Sequence, residues 1–311
     1  MRYIVIGAGA GGGTIGGRLF DSGREVVLVA RGAHAQVLRA NGLRLELPDG
    51  TSEVRIPVAD GPEDLTPRGD DVPVLAVKTQ DTAGALAVWG SFGERPAVVC
   101  AQNGVENERL ALRRFRDVHA MCVWLPSSHL EPGVVRAPCA PLTGMLRLGR
   151  YPSGADDTTR RIATDLAGSG FAAPVKEDVM PWKYAKLLAN LGNAVGAVWG
   201  ALDDDPALEL TRRAKAEARA VLDAAGIAYT GDEDPAQERR DRMLMRPVES
   251  ASLGGGSSWQ SLTRGTGSIE SDYLNGEVVL LGRRLGLPVP VNETLQRLAN
   301  RFARERRDRA G

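Results

Sequence analysis

Lysine is scarce in this chain. Of 39 basic residues, only Lys78, Lys176, Lys183, Lys186 and Lys215 are not arginine, so a lysine set among polar neighbours runs against the protein's habit. Histidine and cysteine are scarcer still, at three each, and Cys100, Cys122 and Cys139 show no CxxC spacing. That excludes a disulfide framework and a zinc site, and it points to a reducing compartment. No charge of one sign dominates, because Lys+Arg and Asp+Glu both number 39. A general pull toward nucleic acid, anionic membranes or polyanions is therefore absent. No apolar run approaches the length of about 18 residues that a membrane span needs, and residues 1–6 meet glycines too soon for a secretory signal. The expectation is a cytoplasmic protein with no nucleic-acid and no membrane partner. Aromatic residues make up only 5%, but 43% hydrophobic content over 311 residues suffices for one large core or two medium ones.

What the chain does have begins at its first residues. Residues 1–6 form an apolar run of the kind a buried parallel strand needs, and glycines follow at 7, 9, 11, 12, 13, 16 and 17. Further apolar runs at 26–30, 72–77, 97–100 and 118–123 are separated by stretches long enough for helices, such as 81–89 and 105–115. That alternation predicts a doubly wound parallel sheet. Residues 43–47 and 54–58 alternate around Pro48-Asp49-Gly50, which reads as a hairpin inserted at the edge of that sheet. From about residue 178 the strand signal disappears. Helical patterns then cover 181–199, 205–225, 269–285 and 292–306. The fold class is α/β: an N-terminal Rossmann-type doubly wound parallel sheet over residues 1–174, then an all-helical C-terminal domain over 175–311. Asp203-Asp204-Asp205 reads as a helix cap with a solvated face, and no metal is expected.

Gly7-Ala8-Gly9-Ala10-Gly11-Gly12 matches GxGxxG, with Gly7, Gly9 and Gly12 in the three glycine positions. These permit a tight turn, let backbone approach a pyrophosphate and allow close helix-to-strand packing, and the free N–H groups of a helix start favour an anion. A glycine-rich turn without a ligand is the alternative. An NAD-preferring site places a carboxylate at the end of the second strand, whereas here Arg31 follows Val29-Ala30. An arginine there suits a 2′-phosphate, so NADPH is the expected cofactor. Lys78 and Asn103 lie at two further strand ends, where ligands of open α/β sheets bind; as a bland reading, the first is a loop lysine and the second a turn residue.

In the helix expected at 181–199, Lys186, Asn190 and Asn193 fall at i, i+4 and i+7, one polar stripe among leucines. Such a stripe either faces solvent or lines a cleft where its polar groups have partners. A desolvated lysine can release a proton near neutral pH, which arginine cannot, and this suits a general acid. Downstream, Ser257 and Ser258 can hold a substrate carboxylate. Glu270, at the start of a helix, can accept a hydrogen bond, pair with a lysine, or simply favour the helix dipole.

Together these residues resemble the ketopantoate reductase family, whose members reduce 2-dehydropantoate to pantoate with NADPH. The resemblance spans nearly the whole chain. It rests on Ile6-Gly7-Ala8-Gly9-Ala10 with Gly12 and Gly16, Arg31, Lys78, Gln102-Asn103-Gly104, Trp182 with Lys186 through Asn190, Ser257-Ser258, and residues 269–276. It implies a Rossmann domain joined to a helical domain with the site in the cleft between them. It further implies that Lys186 protonates the carbonyl oxygen, that Glu270 is its acidic partner, that Asn103 sits near the nicotinamide, and that Asn190 with Ser257 or Ser258 binds a small 2-oxo acid. The family's second asparagine is replaced here by Ala194, with Asn193 one residue earlier. A homodimer is compatible with the sequence. Two other readings keep the fold: an opine- or imine-type dehydrogenase, and a non-catalytic NADP(H)-responsive binding protein.

Overall fold

Residues 1–6 read as unbroken apolar sequence because the strand they form, β1 (Arg2–Ile6), has no solvent face. Tyr3 and Val5 belong to one buried cluster, and Ile4 and Ile6 to another, so both faces of the sheet are covered. The computed structural model describes residues 1–93, 96–199, 205–231, 239–240, 242–248 and 269–310. After β1 come β2 (Glu25–Val29), β3 (Leu43–Leu47), β4 (Gly50–Val54), β5 (Val58–Ala59), β6 (Asp71–Leu75), β7 (Val98–Cys100), β8 (Val118–Trp124), β9 (Val134–Arg136), β10 (Cys139–Pro141), β11 (Gly144–Arg150), β12 (Phe171–Ala172) and β13 (Met243–Met245). Interleaved with them are helices α1 (Ala10–Asp21), α2 (Gly32–Asn41), α3 (Thr79–Trp89), α4 (Asn107–Leu112) and α5 (Asp157–Ala167).

Eight strands form one sheet in the order β12-β11-β8-β7-β6-β1-β2-β5. All neighbours are parallel except β8 and β11. No helix separates that pair, so the chain has no crossover to bring β11 back parallel. Arg2 and Asp71 face each other across β1 and β6, and their buried side chains pair at 2.6 and 2.8 Å, which pins the register. The Tyr3 hydroxyl donates to Asp165 of α5 at 2.7 Å. Burial, reinforced by that carboxylate, pushes the phenol above its ordinary value and keeps it a donor.

The expected hairpin is present but elsewhere. β3 and β4 pair antiparallel with Leu47 opposite Gly50, and β3 also pairs in parallel with β9, so they form a separate three-stranded sheet. Its second strand ends at Val54; Val58, assigned to that strand from sequence, instead pairs, with Ala59 beside it, against β2 at the edge of the main sheet. Pro57, which has no N–H to give a ladder, stands between the two.

The chain divides into two units, Met1–Trp182 with Gly231–Ser252, and Lys183–Thr230 with Leu253–Gly311. The sequence put that division between 174 and 175. Residues up to Lys176 stay with the sheet, because Leu148 of β11 donates to Pro174 O and accepts from Lys176 N. Among its described residues the second unit is helical, with most of α6 (Met180–Asn190), then α7 (Gly192–Trp199), α8 (Asp205–Ala224), α9 (Asn275–Leu285) and α10 (Pro290–Ala310). Ala207, Ala214, Ala218 and Val221 make one stripe along α8 that packs into a core with Leu188, Leu191 and Val195. No helix among the described residues is long and apolar enough to cross a membrane.

Candidate active site

In the first unit, β2, β1, β6 and β7 are parallel neighbours, so their C-terminal ends share one edge. The chain runs from β1 to β2 on one side and returns to β6 on the other, which makes β1/β6 the switch point where open sheets bind ligands. Gly7 leaves β1 there with φ +102, and a Cβ on it would come within 2.9 Å of Val77 N after β6. A Cβ on Gly12 would strike Gly7 O and come within 2.9 Å of the Ala76 side chain, so α1 lies directly against the strand ends. Around Gly9 and Gly11, by contrast, a Cβ would meet nothing within 4 Å. These two therefore leave open space at the start of α1, where N–H groups lack intrahelical partners.

The turn is held from behind. Gly7 N and Ala8 N donate to Val29 O at 3.1 and 3.2 Å. His34 bridges Ala8 O and Gly133 N, each at 2.9 Å. Because Nδ1 accepts from the Gly133 amide, Nε2 carries the proton toward Ala8 O and the ring is neutral. Sequence reasoning missed His34; its only signal was its rarity.

Arg31 stands two residues past the end of β2 as the exposed residue immediately before α2. Lys78 is half-buried at the start of α3. Asn103 follows β7, and its Oδ1 is buried with no hydrogen-bond partner among the described residues. Thus Gly7, Gly9, Gly12, Arg31, Lys78 and Asn103 gather at one sheet edge. Thr79, Thr82, Gln102 and Asn107, buried beneath that edge, bond with one another and with its backbone. Only the Gln-Asn-Gly motif hinted at them.

In the second unit, Lys186 is half-buried and Asn190, one turn on, is buried with its Nδ2 unpartnered among the described residues. The polar stripe stops there. The helix expected over 181–199 is two helices, broken at Leu191, whose N–H reaches back to Leu188 O in a tighter turn before α7 starts at Gly192. Asn193 therefore stands in α7 rather than on the register of Lys186 and Asn190. Leu191 O accepts from Asn275 Nδ2 at 3.4 Å, and Asn275 also donates to Asn292 Oδ1 at 3.0 Å. Glu217 of α8 receives Val291 N and Asn292 N at 2.9 and 3.0 Å and caps α10.

The helix expected over 269–285 is also divided. Glu270, buried at 4% exposure, opens a single tight turn, Glu270–Tyr273, and α9 begins only at Asn275. Asp272 accepts from Gln296 and Asn300 of α10 at 2.7 and 2.6 Å, and Ser271 donates to Asn300 at 2.5 Å. These bonds hold the turn away from the helix path. Ser257 and Ser258, with Asp203 and Asp204, lie outside the described residues.

Residues 3–149 match the family Ketopantoate reductase PanE/ApbA, and residues 178–303 match the C-terminal domain of the same family. A 2-dehydropantoate 2-reductase of Halobacterium salinarum is 30% identical over 315 residues, covering 97% of this chain and 99% of that protein. Another, from Pyrococcus horikoshii, is 26% identical over 298 residues, with 94% of each covered. The crystal structure of a PanE/ApbA family ketopantoate reductase from Ralstonia eutropha JMP134 matches with a TM-score of 0.81 at 28% identity, covering 98% of this chain and 99% of that one. The ternary structure of D-mandelate dehydrogenase with NADH and anilino(oxo)acetate has a TM-score of 0.83 at 21% identity, with 98% and 99% covered, and shares the fold. With matches that run through both units, the chain belongs to the ketopantoate reductase family of oxidoreductases.

Proposed function

We propose that the protein reduces the carbonyl of a small 2-oxo acid, ketopantoate before others, to the 2-hydroxy acid with NADPH. The observation that carries this reading is Asn190: a buried amide donor without a partner among the described residues, one helical turn from a half-buried lysine. A buried donor left unsatisfied among the described residues, one turn from a lysine on the same helix, calls for an acceptor from a ligand, and a substrate oxygen would supply it. The name shared by the curated relatives supports the substrate class.

The residues present fit the cofactor. Gly7 and Gly12 let α1 approach the sheet, and Gly9 and Gly11 leave open space at its start that would admit a pyrophosphate; Arg31 would take the 2′-phosphate, and Lys78 and Asn103, on the same sheet edge, would hold the rest of the cofactor. When bound, NADPH supplies the hydride. Lys186 holds a proton on Nζ and gives it to the carbonyl oxygen as negative charge develops there, while Asn190 and Glu270 orient the substrate. Ser257 or Ser258 binds its carboxylate.

NADPH oxidation measured against ketopantoate and a panel of other 2-oxo acids tests the reading. Turnover highest on ketopantoate supports it; NADPH binding without oxidation of any member would leave only a binding protein. A second outcome concerns cofactor choice. A hydrogen bond to a charged group is worth about 1.5–3 kcal/mol, so Arg31→Ala should raise the KM for NADPH roughly tenfold to a hundredfold. The KM for NADH should hardly move. Parallel increases for both cofactors would remove Arg31 from 2′-phosphate recognition.

A further inference from the structure

Below the sheet edge runs a chain of polar side chains that the proposed chemistry does not itself use. Gln102, Thr82 and Asn107 are 4%, 0% and 0% exposed. Gln102 Nε2 donates to Val77 O at 2.8 Å and to Thr82 Oγ1 at 2.7 Å. A hydroxyl has a single proton, so Thr82, having accepted from Gln102, gives its own to Asn107 Oδ1 at 2.8 Å. This decides which way round the Asn107 amide sits. Its Nδ2 donates to Asn103 O at 2.9 Å and to Thr79 Oγ1 at 3.3 Å.

The donor sequence therefore starts at Gln102, after β7, which also donates to Val77 O in the loop after β6, and runs through Thr82 and Asn107 to the backbone carbonyl of Asn103. Burying such a network is costly compared with apolar packing, and α3 and α4 show that packing elsewhere along their length, at Leu86 and Ala111. The network ends on the residue whose own side-chain Oδ1 is buried and has no protein partner among the described residues. We infer that Thr82 and Asn107 are positioning residues for the reduction: they fix the backbone at Asn103 so that Oδ1 stays directed at a ligand donor. This rests on the reading of Asn103 given above. Without the Thr82 hydroxyl, Asn107 Oδ1 loses its donor and Gln102 Nε2 one of its acceptors inside the core, so the amide that holds the Asn103 carbonyl is anchored from one side only, and that carbonyl keeps, among the described residues, only this loosened amide and the Thr79 hydroxyl at 3.3 Å.

Thr82→Val keeps the side-chain shape and removes only the relay. Because a displacement of about 1 Å at a reacting centre can cost a hundredfold, turnover at saturating NADPH should fall about tenfold to a hundredfold. NADPH affinity, measured by fluorescence titration, should stay unchanged. Hydrogen exchange at the backbone amides of residues 101–104 should quicken, and Thr82→Ser should restore both turnover and exchange protection. Should Thr82→Val fail to fold, Thr82→Ala, which also removes the hydroxyl, is read in the same way. Asn103→Ala runs beside them. If Asn103→Ala slows turnover while the Thr82 variant changes neither turnover nor exchange, the relay is only structural and the inference falls. If Asn103→Ala itself leaves turnover intact, the reading of Asn103 falls and takes the inference with it.

Discussion

Replacing Lys186 with alanine will lower turnover about a hundredfold to ten-thousandfold, the range for loss of a positioned general acid, while NADPH binding stays intact. The expectation follows from chemistry before geometry. Arginine outnumbers lysine by 34 to 5 in this chain, yet a lysine stands one turn before a buried asparagine whose amide donor has no partner among the described residues. A guanidinium would hold charge there as well as an ammonium, but it cannot release a proton in the working pH range. Lys186→Arg therefore separates the two roles. It should preserve the substrate KM, because the positive charge remains, and still lose turnover, because no proton is delivered to the developing alkoxide. Steady-state kinetics at saturating NADPH, with cofactor binding followed by fluorescence, give both quantities. Turnover retained by the arginine variant would make position 186 an electrostatic anchor and send the search for the acid elsewhere.

The sheet was legible in the sequence because burial on both faces leaves an unbroken apolar run, and the parallel order follows from helices spaced between such runs. The strand-end residues were legible for the same reason. Once Gly7, Arg31, Lys78 and Asn103 are each seen to follow a strand, parallel pairing alone brings them to one edge. The two helix breaks were not legible. Residues 181–199 and 269–285 each carry helical periodicity throughout, and what interrupts them comes from far along the chain. Asn275 takes the carbonyl of Leu191, and Asn300 with Gln296 takes the side chain of Asp272. Periodicity records which face is apolar, not which distant side chain will claim a backbone group. The hairpin misplacement has the opposite cause. Its alternation continued past Val54, and Pro57 was the local mark that the second strand had ended.

Gly12→Ala and Gly9→Ala should both abolish tight NADPH binding, for different reasons that a melting curve can separate. A methyl on Gly12 has backbone and strand in its way: Gly7 O, then Ala76 Cβ at 2.9 Å and Val5 Cγ1 at 3.1 Å. None of these is the far end of a flexible side chain, so α1 must lift off the sheet. Overpacking of this kind costs about 1–3 kcal/mol or more, which for a unit of this size lowers Tm by roughly 2–12 °C. A methyl on Gly9 meets nothing within 4 Å, and the φ of −71° suits alanine. Its Tm should therefore match the wild type. Yet that methyl would occupy the space where a pyrophosphate must approach the backbone, so affinity should fall about a hundredfold in a turn whose second glycine permits close approach. Gly12 thus keeps the helix on the sheet and Gly9 keeps the turn open. A Gly9→Ala protein that binds NADPH as tightly as the wild type would show that the phosphates lie elsewhere, whatever Gly12→Ala does to the fold.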